Sequence, residues 1–143
     1  MKKFVFTLQR LFDVKKISED QLLIQQDQIN KRLSELQDKK DRMIRRFHEE
    51  KESYEADCRR GIPAGGLQSY GEYFDFLMQR VKEQDVLIRE CLQEKERLTG
   101  LLLKLMNEMK VLEKIKKEQF VEYNKEMQKN DDKMLEDFLC GRM

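Results

Sequence analysis

The chain has 143 residues, 40% of them charged and 39% hydrophobic, with 29 Lys+Arg against 28 Asp+Glu, one Pro, six Gly and no Trp. A compact globule is disfavoured, because charged residues are almost never fully buried unless paired, and the balance suits long helices rather than a sheet with many turns. The net charge of +1 offers no bulk attraction to nucleic acid or acidic membranes. The mean hydropathy of -0.82 would suit disorder, but near-zero net charge and regularly spaced large apolar residues argue against it.

The first residues, Met1-Lys2-Lys3-Phe4-Val5-Phe6, begin as a secretory leader does, but Gln9 and Arg10 interrupt the apolar run, so no leader is expected. No run of about 18 apolar residues exists, and no membrane span is expected. Across the first sixteen residues Lys2, Lys3, Arg10, Lys15 and Lys16 stand against Asp13 alone. Such a basic, Phe-rich start suits a membrane surface or an acidic protein groove; packing of the phenylalanines on a later helix is the preferred reading.

A first helix is expected over about 7–60. Steps of four and three from Leu22 give Gln26, Ile29, Leu33, Leu36, Lys40, Met43, Phe47, Glu50 and Tyr54, seven of the ten apolar. Phe4, Leu8, Leu11 and Phe12 extend an apolar stripe upstream. The one interruption of the chain is Gly61-Ile62-Pro63-Ala64-Gly65-Gly66. Pro63 cannot sit inside a helix and biases Ile62 away from helical geometry, and Gly65-Gly66 permits positive φ. Ser69-Tyr70-Gly71-Glu72 has the form of a capping box. A turn over 61–69 and a second helix over about 70–139 follow.

That second helix carries a longer seam: Tyr70, Phe74, Leu77, Val81, Gln84, Ile88, Cys91, Lys95, Leu98, Leu102, Leu105, Met109 and Leu112, with only Gln84 and Lys95 polar. Gly100 lies off it. The fold class is all-α: two long helices forming an antiparallel coiled-coil hairpin in a single domain over 1–143. With the expected turn, the numbers of facing residues add to about 128, so Leu8 faces roughly Phe120. After Leu112 the apolar line is expected through Lys116, Phe120, Tyr123 and Met127, a stutter that re-aims the stripe. Beyond Phe120 the second helix has almost no partner within the chain, yet Tyr123, Met127, Met134, Leu135 and Phe138 keep helical spacing. An apolar stripe with nothing to bury it calls for a partner; a frayed end is the alternative.

Chemistry-bearing motifs are missing. There is no Gly-x-x-x-x-Gly-Lys loop, no His-x-x-x-His and no calcium loop. His48, the only histidine, sits in a charged stretch and reads as solvated. Cys58, Cys91 and Cys140 match no zinc or disulfide framework and suit a reducing cytosol; Cys91, on the seam, reads as a small buried apolar residue. No catalytic, cofactor or metal residue is expected, and the protein is read as no enzyme. Lys39-Lys40-Asp41-Arg42-Met43-Ile44-Arg45-Arg46 is the best case for nucleic acid, but the acids that follow favour a solvated face or interhelical ion pairs.

Lys2-Lys3-Phe4-Val5-Phe6-Thr7-Leu8-Gln9-Arg10-Leu11-Phe12-Asp13 resembles the opening of the flagellar export protein FliJ family. Val111-Leu112-Glu113-Lys114-Ile115-Lys116 resembles a segment of that family's C-terminal helix. Asp131-Asp132-Lys133-Met134-Leu135-Glu136-Asp137-Phe138 resembles its terminal signature, with the two acids after Leu135 in swapped order, and Gly61-Ile62 with Tyr70 and Tyr73-Phe74 resembles its hairpin. The resemblance covers the whole length. It implies a non-enzymatic stalk or adaptor of the flagellar type III export apparatus, serving flagellum biogenesis and thereby chemotaxis. Its implied partners are the export ATPase ring, the membrane export gate and export chaperones. The implied location is cytoplasmic, peripheral to the inner face of the cell membrane; the chain is expected to be monomeric and to bind no nucleic acid.

Two surfaces are expected. Tyr73, Leu77, Arg80 and Gln84 follow i, i+4, i+7, i+11 spacing, and Met43 and Phe47 are close to facing them. These are packing residues or, as the resemblance implies, the export-gate contact. The overhang residues Tyr123, Met127, Met134, Leu135 and Phe138, with Arg10, Lys15 and Lys16 at the same end for steering toward an acidic lining, are the expected ATPase-ring contact. The readings from other classes are a self-associating structural coiled coil and a nucleic-acid-binding hairpin using Lys39–Arg46.

Overall fold

The computed structural model describes residues 3–141. It contains two helices, α1 (Gln9–Arg60, 52 residues) and α2 (Ala64–Leu139, 76 residues), and no strand among the described residues. Helix content is 92%, above the four-fifths that the seams require, and the two helices pack on each other as an all-α hairpin. By contacts the chain divides into two compact units, Ile24–Thr99 and Met1–Leu23 with Gly100–Met143.

The turn is tighter than expected. α1 ends on Arg59 and Arg60, whose charges suit a helix C-terminus. Gly61 follows at φ 84, and its N–H returns to the Cys58 carbonyl at 3.2 Å. A glycine takes this left-handed position without the Cβ clash that other residues meet. Pro63 then opens α2: its carbonyl accepts from the Gly66 N–H at 2.9 Å and the Leu67 N–H at 3.3 Å. Proline serves at a helix start because it has no N–H to leave unpaired there. The expected turn over 61–69 therefore shrinks to Gly61–Pro63, and α2 starts at Ala64 rather than near Tyr70. The capping box does not form. Ser69 lies inside α2 and its hydroxyl donates to the Gly65 carbonyl at 3.0 Å, the usual back-bond of a mid-helix serine.

The shorter turn moves the register by about one helical turn. In Ile24–Thr99, Tyr54 stacks edge-on against Tyr70, Lys40 pairs with Asp85 at 2.6 Å, and Gln26 donates to Thr99 at 3.4 Å. In the other unit Lys15 pairs with Glu108 at 2.6 Å, and Phe4, not Leu8, meets Phe120 at 5.1 Å between ring centroids. Facing numbers thus add to about 124 rather than 128.

The seams lie where the heptads put them. Every position of the α2 seam from Tyr70 to Leu112 and of the α1 seam from Leu22 to Tyr54 is buried or half-buried. Leu33, Leu77, Cys91 and Leu98 form the buried core of Ile24–Thr99; Phe6, Leu102, Leu105, Met109 and Leu112 form that of the other unit. Two details differ. Upstream of Leu22 the covered line passes through Glu19, Lys15, Phe12 and Leu8, leaving Leu11 exposed, because Leu11 lies one residue off the four-three spacing. After Leu112 the half-buried line runs through Gln119 and Tyr123, with Phe120 exposed. The covered line passes through Ile115, with Lys116 exposed, and the consecutive steps of four fall at Ile115–Gln119–Tyr123–Met127.

Leu98 is 2% exposed. Truncation there removes buried apolar surface and leaves a void, so Leu98→Ala is expected to cost about 2–5 kcal/mol. A Cβ added at Gly100 meets nothing within 4 Å, so Gly100→Ala is expected to stabilise by about 0.5–1 kcal/mol through helix propensity alone. Urea melts of the two variants should move in opposite directions from the parent.

Candidate functional site

Among the described residues no group of three or more His, Cys, Asp or Glu is placed to hold a metal ion. His48 is exposed with its ring 6.0 Å from that of Phe47. Cys91 is buried, its thiol directed at the Ile29 carbonyl at 3.7 Å, while Cys58 and Cys140 are exposed. No described helix is long and apolar enough to cross a membrane. The features left are two surfaces, one in each unit.

The first lies in Ile24–Thr99. Of the six residues expected to form it, the structure turns two inward. Gln84 is 2% exposed and donates through Nε2 to the Leu36 carbonyl at 2.8 Å. Phe47 packs its ring 5.3 Å from that of Phe74. Leu77 is also buried, but its edge, with Met43 and Arg80, lines an open groove of about 460 Å³ completed by Lys39, Arg42, Arg46 and Phe76. Phe76 is 54% exposed, stacked on Tyr73 at 6.3 Å and beneath the Arg80 guanidinium at 5.7 Å. Arg46 donates through Nε to the Tyr73 hydroxyl at 3.2 Å and lies 3.6 Å from Glu50. The hydroxyl, ahead of that carboxylate, holds the guanidinium's pKa above its ordinary value.

The surface is therefore a basic groove with one exposed aromatic ring. The heptad count passed over Phe76 because it flanks the seam. The i, i+4, i+7 stripe placed Leu77 and Arg80 in this surface with Met43 close to facing them, and packing adds Lys39, Arg42 and Arg46 from the basic run at 39–46.

Behind this groove the aromatic cluster fixes the turn end of the hairpin. Tyr54 lies 5.2 Å from Tyr70 and 5.8 Å from Phe74. The Tyr70 hydroxyl donates to the Asp57 carboxylate, and this bond, with burial and the carboxylate's charge, pushes the phenol up to about 12.

The second surface lies in the terminal unit. Lys15 and Lys16, the expected steering charges, both carry ion-pair partners, Lys15 across to α2 and Lys16 along its own helix. Lys15 pairs with Glu108, a bond that holds the Glu108 carboxyl below its ordinary pKa, and Lys16 pairs with the buried Glu19 at 2.8 Å. Arg10 is exposed. Tyr123 is half-buried with its ring 5.5 Å from that of Phe4, and Met127 is half-buried. Beyond them Met134 (71%), Leu135 and Phe138 (62%) are exposed, and so is Leu139, which the seam count omitted. The basic residues and the apolar overhang thus do not combine into one patch.

The Tyr70 contact generates a spectroscopic test. Its phenol has a folded pKa above the unfolded value of about 10, so its contribution to stability is full below pH 10 and is lost as pH rises through about 12. Absorbance titration of the four tyrosines should show a late-ionising phenol, and Tyr70→Phe should remove that step. An unchanged titration curve in Tyr70→Phe would count against the bond.

No curated protein sequence matches the chain, and no solved structure matches it either. The family model described as flagellar FliJ protein matches residues 4–140. With that span covering nearly the whole chain, on a two-helix hairpin, the protein belongs to the FliJ family and is a component of the flagellar export apparatus.

Proposed function

We propose that the protein acts without chemistry of its own, as a stalk or adaptor that joins the export ATPase ring to the membrane export gate and assists chaperone and substrate handling. The observation that carries this reading is the unequal length of the helices: α1 has 52 residues and α2 has 76, and the excess of α2 ends in the exposed Met134, Leu135, Phe138 and Leu139. Large side chains left in water at a helix end favour a binding role, since burying each contributes roughly 1.5–3 kcal/mol. In this reading the overhang seats in the ATPase ring and the basic groove at Lys39, Arg42, Arg46 and Arg80 faces the gate. The protein works in the cytoplasm, at the inner face of the membrane.

The reading rests on the two surfaces lying in different units of the hairpin, so one partner can be lost without the other. A chain ending at Lys129 is expected to keep a thermal melt close to that of the full chain, because the residues removed contribute little to either seam, and to lose binding to the export ATPase. Full ATPase binding by the truncated chain would remove the overhang from the reading. The pair Phe76→Ser and Arg80→Ser is expected to leave helicity and ATPase binding intact while reducing flagellar export and swimming. Normal motility in that pair would remove the groove.

A further inference from the structure

The apolar line of the overhang is the same line that packs within the chain. In the terminal unit α2 buries Leu102, Leu105, Met109 and Leu112 against its partner segment, and Gln119 and Tyr123 follow on the same face. At about 100° per residue, Tyr123, Met127, Met134 and Phe138 fall within roughly 60° of arc on that face. Among the described residues, the segment ahead of α1 meets α2 at a groove in which Lys3, Phe4 and Val5 face Glu122, Tyr123 and Glu126, whereas α2 stays helical to Leu139. Among the described residues, the exposed Met134 and Phe138 are half of a coiled coil without its other half.

The borders of that stripe are acidic. On the same helical count Asp131 lies along one edge, with Glu126 and Asp137 along the other. Lys125 and Lys129 lie further round the helix, Lys133 lies just outside Glu126 and Asp137, and Lys125 pairs with Glu122 at 3.8 Å on its own helix. The last turn of α2 holds no basic residue, although the negative end of a helix favours cations there. Among the described residues neither Glu136 nor Asp137, close to that end, has an ion pair.

We propose that the overhang from Met127 to Phe138 pairs with a single amphipathic helix of its partner, one that carries large aliphatic residues in its seam and Lys or Arg along its flanks. The argument is continuity with the intrachain seam together with charge. A second copy pairing through the same stripe would set Asp131, Asp137 and Glu126 against their equals, and like charges across an interface oppose association. An anionic membrane surface meets the same acidic borders. A basic-flanked helix buries the stripe, faces the carboxylates with cations and compensates the helix end. The proposal rests on the reading of the overhang as a binding end and adds the chemistry of what it binds.

Two stapled synthetic helices test it, sharing one Leu/Ile seam and flanked by Lys in one and by Glu in the other. Each is labelled and titrated against the full chain by fluorescence anisotropy. The Lys-flanked helix is expected to bind about tenfold or more tightly than the Glu-flanked one, with the preference shrinking at high salt. Asp131→Lys with Asp137→Lys should reverse the preference, and Phe138→Ser should weaken both. Those charge changes suit a helix C-terminus, so the variant is expected to stay folded. No binding, equal binding of both helices, or self-association abolished by Phe138→Ser would overturn the proposal. Against the export ATPase the two ideas separate: loss of binding in the chain ending at Lys129 but retention in Asp131→Lys with Asp137→Lys would overturn this proposal alone.

Discussion

Everything else in the hairpin depends on where the chain reverses. Gly61 at φ 84 closes α1 and Pro63 opens α2, so only Gly61, Ile62 and Pro63 separate 52 helical residues from 76. A turn this short leaves the returning helix little choice of alignment. It sets Tyr54 on Tyr70, Lys40 on Asp85, Lys15 on Glu108 and Phe4 on Phe120. It also fixes how much of α2 is left over once α1 and the segment before it are used up. The overhang is a consequence of the turn as much as of the helix lengths.

A heptad seam by itself cannot hold that alignment, because a slip of seven residues restores the same pattern of apolar contacts. The polar positions remove the ambiguity. Gln84 reaches the Leu36 carbonyl from inside the seam. A slip would leave that amide unsatisfied in the interior, at a cost of about 1–3 kcal/mol. The interhelical pairs Lys40–Asp85 and Lys15–Glu108 add small energies, as surface pairs do, and a seven-residue slip would set both lysines against apolar residues instead of carboxylates. Stability resides in Leu33, Leu77, Leu98 and the leucines beyond; alignment resides in the polar residues among them.

The proposed function assigns recognition to side chains at the edges of this packing. In a two-helix pair the side chains beside the seam and beyond its covered part are the ones left to meet a partner. The groove with Phe76 uses side chains that flank the seam, where Tyr73 and Arg80 hold an aromatic ring that the core does not need. The overhang uses the seam itself, after its intrachain partner has ended. One surface is cationic and the other is bordered by carboxylates, which suits two partners of different character.

The sequence by itself determined both helices, their shared heptad, the position of the break and the apolar character of the overhang. These are local or periodic properties, and burial follows them from Leu22 to Tyr54 and from Tyr70 to Leu112. It also placed Met134, Leu135 and Phe138 beyond the reach of α1. Tertiary structure alone decided the length of the turn. Glycines at 61, 65 and 66 all permit reversal, and only the one at 61 takes positive φ. From that choice came the one-turn change of register and the meeting of Phe4 rather than Leu8 with Phe120. The fate of the charges was decided there too. Lys15 is a free cation in the sequence and an ion-paired group in the fold, because a charge finds a partner on the facing helix only when register brings its opposite within reach.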